Sequence, residues 1–400
     1  MKRFFGRIVL GAFSVHMLIA TKVLAVVIPE PPALNAKGYV LMDFQSGSII
    51  AENNPRDALA PASLTKLMTA YVVGQEINTK RLKWDDMVTV GENAWSLKFP
   101  DSSKMFIKPG DEISVENLMR GVIIQSGNDA SVALAEYIAG SESGFVNLMN
   151  GWAKTLKLQD TRFINAHGLD GEGIQTSPAD MATLMRHIIR DVPDVYALYQ
   201  DKQFAWNDIT QFNRNKLLWD KALNVDGGKT GYTEQAGYSL VSSATEGSRR
   251  LIAVVMGTPS QTIRAEASKN LLSYGFRFYD TQKVVQANES VFSYEIWKGA
   301  TDKVTLGVTD DKYITLPRNM FKQLTKIVDI DQPLFAPIVK GDVVGNMVWQ
   351  LDGETVARYP LISNETIEAG SFIDQIWDTL WLWLQSSIAG LKNLWEEASA

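Results

Sequence analysis

The chain has 400 residues, a formal charge of −6 at pH 7 and no cysteine. That length exceeds one simple core and fits two or three domains. The absence of cysteine excludes disulfides, thiolate metal sites, a cysteine nucleophile and a lipidated cysteine anchor, and the acidic balance argues against a nucleic-acid partner.

Residues 1–25 read as a secretory signal, with basic Lys2, Arg3 and Arg7, an apolar Ile8 to Ala20, and small residues around Val23-Leu24-Ala25. The apolar run is shorter than the ~20 residues a membrane span needs. Cleavage there removes four positive charges and leaves −6 − 4 = −10. The protein is therefore expected to be exported. Val26 to Ala36, with Pro29, Pro31 and Pro32, is an extended lead-in. Gly38 to Asp43 and Ser48 to Glu52 flank Phe44-Gln45-Ser46-Gly47 as a hairpin.

A helix is expected from near Ser63, where Pro61-Ala62-Ser63-Leu64-Thr65-Lys66 leads into apolar Leu67 to Val73. Helical spacing brings Ser63 and Lys66 within reach of each other. A helix start also offers free N–H groups and partial positive charge, which suit a serine that attacks a carbonyl and must stabilise an oxyanion. A serine hydroxyl needs a base. Lysine can serve only as the free amine, so its pKa must fall by roughly three units through burial or a second cation. Taken alone, Ser-x-x-Lys reads as a capping serine followed by a solvated lysine, and it is the further motifs that change this.

Lys80 to Gly110 lacks periodicity and reads as loop with short strands, bordering a cleft. Val115, Leu118, Met119, Val122 and Ile123 then form one helical face before a break at Ser126-Gly127-Asn128. Helices over Ala130 to Ala139 and Gly144 to Leu156 place that motif in a helix-linking turn. His167 and His187 are the two histidines left after signal removal. With no Gly-x-Ser-x-Gly and no His-Glu-x-x-His, His167 reads as a turn or structural residue, and no metal or cofactor is expected. Ser177-Pro178 opens a helix containing His187. Lys229-Thr230-Gly231 precedes two β-rich runs, Gly237 to Ala244 and Arg250 to Met256, and an amphipathic helix from about Gln261 to Tyr279. Strands at both ends with helices inserted between imply one sheet that pairs the ends, an α+β architecture.

After Gln282, short alternating runs such as Val291 to Trp297, Lys303 to Val308 and Thr355 to Tyr359 describe a small all-β sandwich without catalytic groups. In the last thirty residues Ile373, Ile376, Trp377, Leu380, Leu384, Ile388, Leu391, Leu394 and Trp395 share one helical face. Such a helix either docks on its own protein or lies in a membrane interface. Four tryptophans, Trp377, Trp381, Trp383 and Trp395, favour the membrane.

Ser-x-x-Lys, Ser-x-Asn and Lys-Thr-Gly follow one another in the order used by penicillin-binding proteins and class A β-lactamases. A second Ser-x-Asn, at Ser268 to Asn270, falls outside the Ser63–Lys229 interval. Together with Lys108-Pro109-Gly110-Asp111, the segment Arg120 to Asp129 and Asp226-Gly227-Gly228, these motifs resemble those of the low-molecular-mass penicillin-binding proteins, serine-type D-alanyl-D-alanine carboxypeptidases. The resemblance implies a transpeptidase/β-lactamase-like domain, an antiparallel sheet flanked by helices, at 26–282. It also implies a small all-β domain at 283–370 and a membrane-associating amphipathic helix at 371–400. The protein would then sit peripherally on the periplasmic face of a bacterial inner membrane.

By the same resemblance Ser63 would attack the carbonyl between the terminal D-alanines of a peptidoglycan stem peptide, with Lys66 as base. Ser126 would relay a proton to the leaving amine, and Asn128 would hold the substrate and Lys66. Lys229 and Thr230, with Gly231 and Tyr232 beside them, would bind the terminal carboxylate. Backbone N–H groups of Ser63 and Tyr232 would form the oxyanion hole, and β-lactams would act as inhibitors. Two positions depart from the pattern: Tyr232 stands where members often carry histidine, and Ala179 where many carry an arginine that would contact the carboxylate. A β-lactamase shares the three motifs but adds a deacylating glutamate; no matching glutamate motif lies between Asn128 and Lys229, and Glu172, in a glycine-rich turn, is a poor candidate. A non-catalytic peptidoglycan-binding scaffold is the third reading, and the presence of both nucleophile and base speaks against it.

Overall fold

The computed structural model describes residues 28–398, with side chains to Leu384 and at Ser387. The expected signal at 1–25 lies outside the described residues, as do the side chains of Ile388, Leu391, Leu394 and Trp395.

The chain opens with a hairpin of β1 (Gly38–Asp43) and β2 (Ile49–Asn53). Helix α1 (Thr65–Asn78) follows, then a ribbon of β3 (Met87–Thr89) and β4 (Glu112–Ser114). Next come α2 (Val115–Arg120), α3 (Asn128–Ala139), α4 (Glu142–Thr155), α5 (Pro178–Asp191) and α6 (Pro193–Ala197). A second ribbon, β5 (Gln203–Trp206) with β6 (Ile209–Phe212), leads to β7 (Asn224–Thr233), β8 (Gly237–Glu246), β9 (Arg249–Thr258) and α7 (Gln261–Phe278).

The main sheet has the order β2-β1-β9-β8-β7, antiparallel throughout. Pairing of β1 with β9 joins the two ends of this unit, as strands flanking inserted helices require. Both central strands are buried on both faces, which is why they read as continuous apolar runs. Val40, Met42, Ile252, Val254 and Met256 face the helical core around α1 and α5. Leu41, Leu251, Ala253 and Val255 face Leu271 and Leu272 of α7.

Local signals set several boundaries. The Ser177 hydroxyl caps α5 by accepting from Asp180 N at 3.3 Å, with proline in the first turn. Ser63 itself lies in a 3₁₀ turn, Ala62–Leu64, and α1 begins only at Thr65. Ala62, which opens that turn, is held at φ +48°. Lys229-Thr230-Gly231 does not precede the strands but lies within one, β7. Its three glycines, Gly227, Gly228 and Gly231, hide the strand from a reading based on β propensity. Gly231 is needed because a Cβ there would come within 3.0 Å of Pro61 O, so the strand passes directly against the Ser63 turn.

The C-terminal unit begins with β10 (Tyr279–Val285), so the expected boundary after residue 282 cuts through a strand. Asp280-Thr281-Gln282-Lys283 carries no apolar alternation and gave no signal. Strands β11 (Phe292–Trp297), β12 (Lys303–Gly307), β13 (Lys312–Pro317), β14 (Leu324–Ile330), β15 (Leu334–Phe335), β16 (Val343–Leu351) and β17 (Glu354–Ser363) follow. They make a six-stranded sheet, β14-β16-β17-β12-β11-β15, and a β10–β13 pair. Val285, Val308, Met347 and Leu361 are buried together in one of two small apolar clusters. Thr281 Oγ1 donates to Asp43 Oδ2 (2.7 Å) and Arg318 Nη2 to Phe276 O (2.7 Å), tying this unit to the first. Helix α8 (Phe372–Ala398) ends the described chain.

Candidate active site

A cleft of about 870 Å³ opens between the sheet edge β7 and the helical half. Its lining includes Ser63, Ser102, Ser126, Asn128, Arg214, Thr230, Gly231, Tyr232 and Arg264. The elements that build it come from four distant stretches of chain.

The turn before α1 brings Ser63 into the cleft, half-buried, while Lys66 is completely buried one turn on. Lys66 Nζ lies 3.2 Å from Ser63 Oγ, 2.7 Å from Asn128 Oδ1 and 2.6 Å from the carbonyl of His167. Burial, reinforced by the Arg214 cation and opposed by Asp129, lowers the Lys66 pKa from 10.5 to about 7. The free amine is thus within reach of this lysine at neutral pH.

The helix leading from α2 widens into a π turn over Gly121–Gln125 and delivers Ser126 at φ +59°. A left-handed serine is costly, and the surroundings hold it there. Asn128 N bonds Ser103 O (2.9 Å), and Asn128 Nδ2 donates to Ser102 Oγ (2.8 Å). The second contact fixes which end of the amide faces Lys66. Buried Asp129 accepts from the backbone N–H groups of Met105 (2.8 Å), Phe106 (2.9 Å) and Ile107 (3.3 Å). One carboxylate therefore pins the whole serine-bearing loop against α3.

From β7, Lys229 Nζ reaches Ser126 Oγ (2.8 Å) and Thr230 O (3.0 Å). Burial, then the positive charges of Lys66, Arg214 and Arg264, push Lys229 well below the ordinary lysine value. A substrate carboxylate arriving beside it would restore the proton. Lys66 thus bonds Asn128 and Lys229 bonds Ser126, two residues apart in one turn, and all eight residues singled out in the sequence meet in one place. Tyr232 is half-exposed and stacks on its cross-strand neighbour Tyr238, ring centres 4.2 Å apart, at the open side. Unlike histidine, it places a large aromatic wall there.

Three contributors were not foreseen. His167 is a buried turn residue, but its backbone carbonyl is a direct partner of Lys66. Arg214, through Nη1 to Ser103 Oγ (2.6 Å), and Arg264 both line the cleft. Arg264 is 4% exposed and its Nε is without a partner among the described residues. A charged residue three and four positions before buried Ala267 and Ser268 was the available signal. Arg214 sits in an irregular turn and had none. Ala179, by contrast, lies in the first turn of α5 with its N–H on Pro55 O (2.9 Å), and does not line the cleft. With no arginine at 179, Arg214 and Arg264 join Lys216 and Lys229 as basic side chains of the cleft. Glu172 lies beyond Asp170, in a neighbouring groove that does not contain Ser63.

Comparison with known proteins agrees with this geometry. A family model described as D-alanyl-D-alanine carboxypeptidase matches residues 25–260, and one for the penicillin-binding protein 5 C-terminal domain matches 279–369. D-alanyl-D-alanine carboxypeptidase DacC of Escherichia coli (strain K12) is 47% identical over 87% of this chain and 88% of its own length. DacA of Haemophilus influenzae is 46% identical over 90% and 91%. A crystal structure of penicillin-binding protein 5 from Haemophilus influenzae superposes with a TM-score of 0.83 at 45% identity, over 85% of this chain and 99% of that one.

Proposed function

The chain belongs to the D-alanyl-D-alanine carboxypeptidase family, and from that premise we propose how its cleft performs the reaction. It is an enzyme that removes a terminal D-alanine. Ser63 is the nucleophile and Lys66 the base. A free amine has two N–H bonds and one lone pair. The oxygens of Asn128 and His167 can only accept, so each takes one N–H. The lone pair is left facing Ser63 Oγ, whose hydroxyl must then be the donor. This arrangement around Lys66 Nζ is the observation that carries the reading.

Ser63 Oγ attacks the carbonyl carbon of the penultimate D-alanine as its proton passes to Lys66. The N–H groups of Ser63 and Tyr232 receive the oxyanion. Collapse of the tetrahedral intermediate breaks the C–N bond, and Ser126, donating its own proton, protonates the leaving amine. The proton that Lys66 took from Ser63 makes good the one Ser126 gives up, returning Lys66 to the free amine, while Lys229, 2.8 Å from Ser126 Oγ, holds that hydroxyl in place. Lys229, Thr230 and the nearby arginines hold the terminal carboxylate. Water then hydrolyses the ester on Ser63. A β-lactam would acylate the same oxygen but keep its leaving group tethered. The natural substrate is inferred to be a peptidoglycan stem peptide.

The test is the position of the adduct. Penicillin should label the protein once, on the peptide containing Ser63, and Ser63→Ala should remove the label. A label on Ser126, or one that persists in Ser63→Ala, would overturn the assignment.

We also infer that α8 holds the protein on a membrane surface after export. Phe372, Ile373, Trp377, Leu380, Trp381, Trp383 and Leu384 are exposed along it, which supports an apolar surface as their partner. No helix among the described residues is long and apolar enough to cross a membrane. With the signal-like start, this favours a peripheral position on the periplasmic face of the inner membrane.

A further inference from the structure

The free amine of Lys66 is aimed only if both of its carbonyl partners are held. Ser102 holds Asn128. The His167 carbonyl needs an equivalent, and the turn that carries it supplies one. The N–H of Gly168 donates to Asn165 Oδ1 at 2.6 Å, and that of His167 to the same oxygen at 3.3 Å. In a trans peptide the C=O and the following N–H point in opposite directions. A grip on Gly168 N–H therefore fixes the His167 C=O on Lys66, 2.6 Å away. The grip matters because Gly168 sits at φ +89°, where glycine's freedom makes rotation of that peptide cheap.

Asn165 is itself aligned, since its Nδ2 donates to Leu169 O at 2.9 Å. The turn is strapped down on both sides, by Thr69 Oγ1 to Ala166 O (2.6 Å) and by Ala166 N to Glu142 Oε1 (2.9 Å). Asn165 does not line the cleft, so substrate contact is not what it supplies. We propose that Asn165 is a positioning residue for the base: its side-chain oxygen clamps the His167–Gly168 peptide and so orients the Lys66 lone pair toward Ser63. This rests on Lys66 being the base, as proposed above.

The clamp predicts a signature that a merely structural residue would not give. A carbonyl stabilises an ammonium more than an amine, so its loss lowers the pKa of Lys66. The other charges facing Lys66 are Lys229 from β7, Arg214 from the turn before it and Asp129 from α3; Glu142 of α4 stands 3.5 Å from the His167 ring. All remain in the variants below.

The experiment is the second-order acylation rate with penicillin between pH 5 and 9, on the full chain, with thermal melts beside it. Asn165→Ala should lower the plateau by tenfold or more, a misplacement of about 1 Å costing ~10²-fold, and move the acid limb to lower pH. Asn165→Asp keeps the acceptor and adds negative charge, so its limb should move to higher pH. Asn165→Ser, with a hydroxyl acceptor on a shorter arm, should retain more of the plateau than Asn165→Ala. An unchanged plateau in Asn165→Ala, or a lower plateau with an unmoved limb, would overturn the proposal. Lys66→Arg is the control. If it still acylates, the base assignment fails; if it is dead while Asn165→Ala behaves as wild type, only the clamp fails.

Discussion

Placing a carboxylate on Lys66 should move its titration in a predictable direction. Asn128 Oδ1 lies 2.7 Å from Lys66 Nζ, in a fully buried position for the lysine. Asn128→Asp is nearly isosteric and puts unit charge there. At an effective dielectric constant of about 20, two unit charges at that distance attract by about 6 kcal/mol. The amide oxygen already supplies part of this, and burying the carboxylate costs part of the rest. If a little under half survives, about 2.7 kcal/mol, the Lys66 pKa rises by about two units at 1.36 kcal/mol each. The acid limb of acylation, set by a pKa of about 7 in the wild type, then moves to about 9. The free amine is the active form, present above its pKa. At pH 7 its share falls from about a half to about 1%, a loss of roughly fifty-fold in rate. Rates recover as the pH rises toward 9. Stopped-flow acylation by a fluorescent penicillin across pH 5.5–9.5 measures this. A uniform loss at every pH, with the limb still near 7, would refute the idea that Lys66 is the titrating base in contact with Asn128.

Other consequences follow from the same coordinates. Lys66→Arg keeps the positive charge but cannot release a proton, so acylation should vanish while the melting curve survives; wild-type labelling would rule lysine out. Gly168→Ala would place a Cβ 1.9 Å from Ala62 O at φ +89°, and should cost more than about 3 kcal/mol by denaturant titration; a change below 1 kcal/mol would contradict the packing. For α8, apolar burial rather than charge must supply membrane binding, since its sequence carries one lysine, Lys392, against Asp374, Asp378, Glu396 and Glu397. Each large side chain buried is worth roughly 1.5–3 kcal/mol. The protein should therefore sediment with vesicles in high salt, and deletion of 371–400 should release it; release of the intact chain by salt alone would mean a different partner.

The α+β architecture was legible because its signals are local. The hairpin turn at Phe44 to Gly47, the Ser177-Pro178 start and the apolar runs of β9 each state their own conformation. What stayed hidden depends on contacts across the chain. Strand β7 gave no strand signal, because its glycines are there to admit the backbone at Pro61 and, at Gly228, a neighbour 2.3 Å from a would-be Cβ. The polar edge strand β10 gave no alternation to read. Within the cleft, side chains announced by motif were visible, whereas a backbone carbonyl was not. Nothing in the residue type of His167 marks its C=O as a partner of Lys66. Ala179 shows the converse, a departure conspicuous in the sequence that the fold places outside the cleft.

The most direct test is release of D-alanine from a pentapeptide ending in D-alanyl-D-alanine, measured with the purified full chain and with Ser63→Ala. The wild type should release one D-alanine per peptide, leaving a tetrapeptide, and Ser63→Ala none. Release by Ser63→Ala at the wild-type rate, or an intact pentapeptide after incubation with folded wild-type protein, would contradict this.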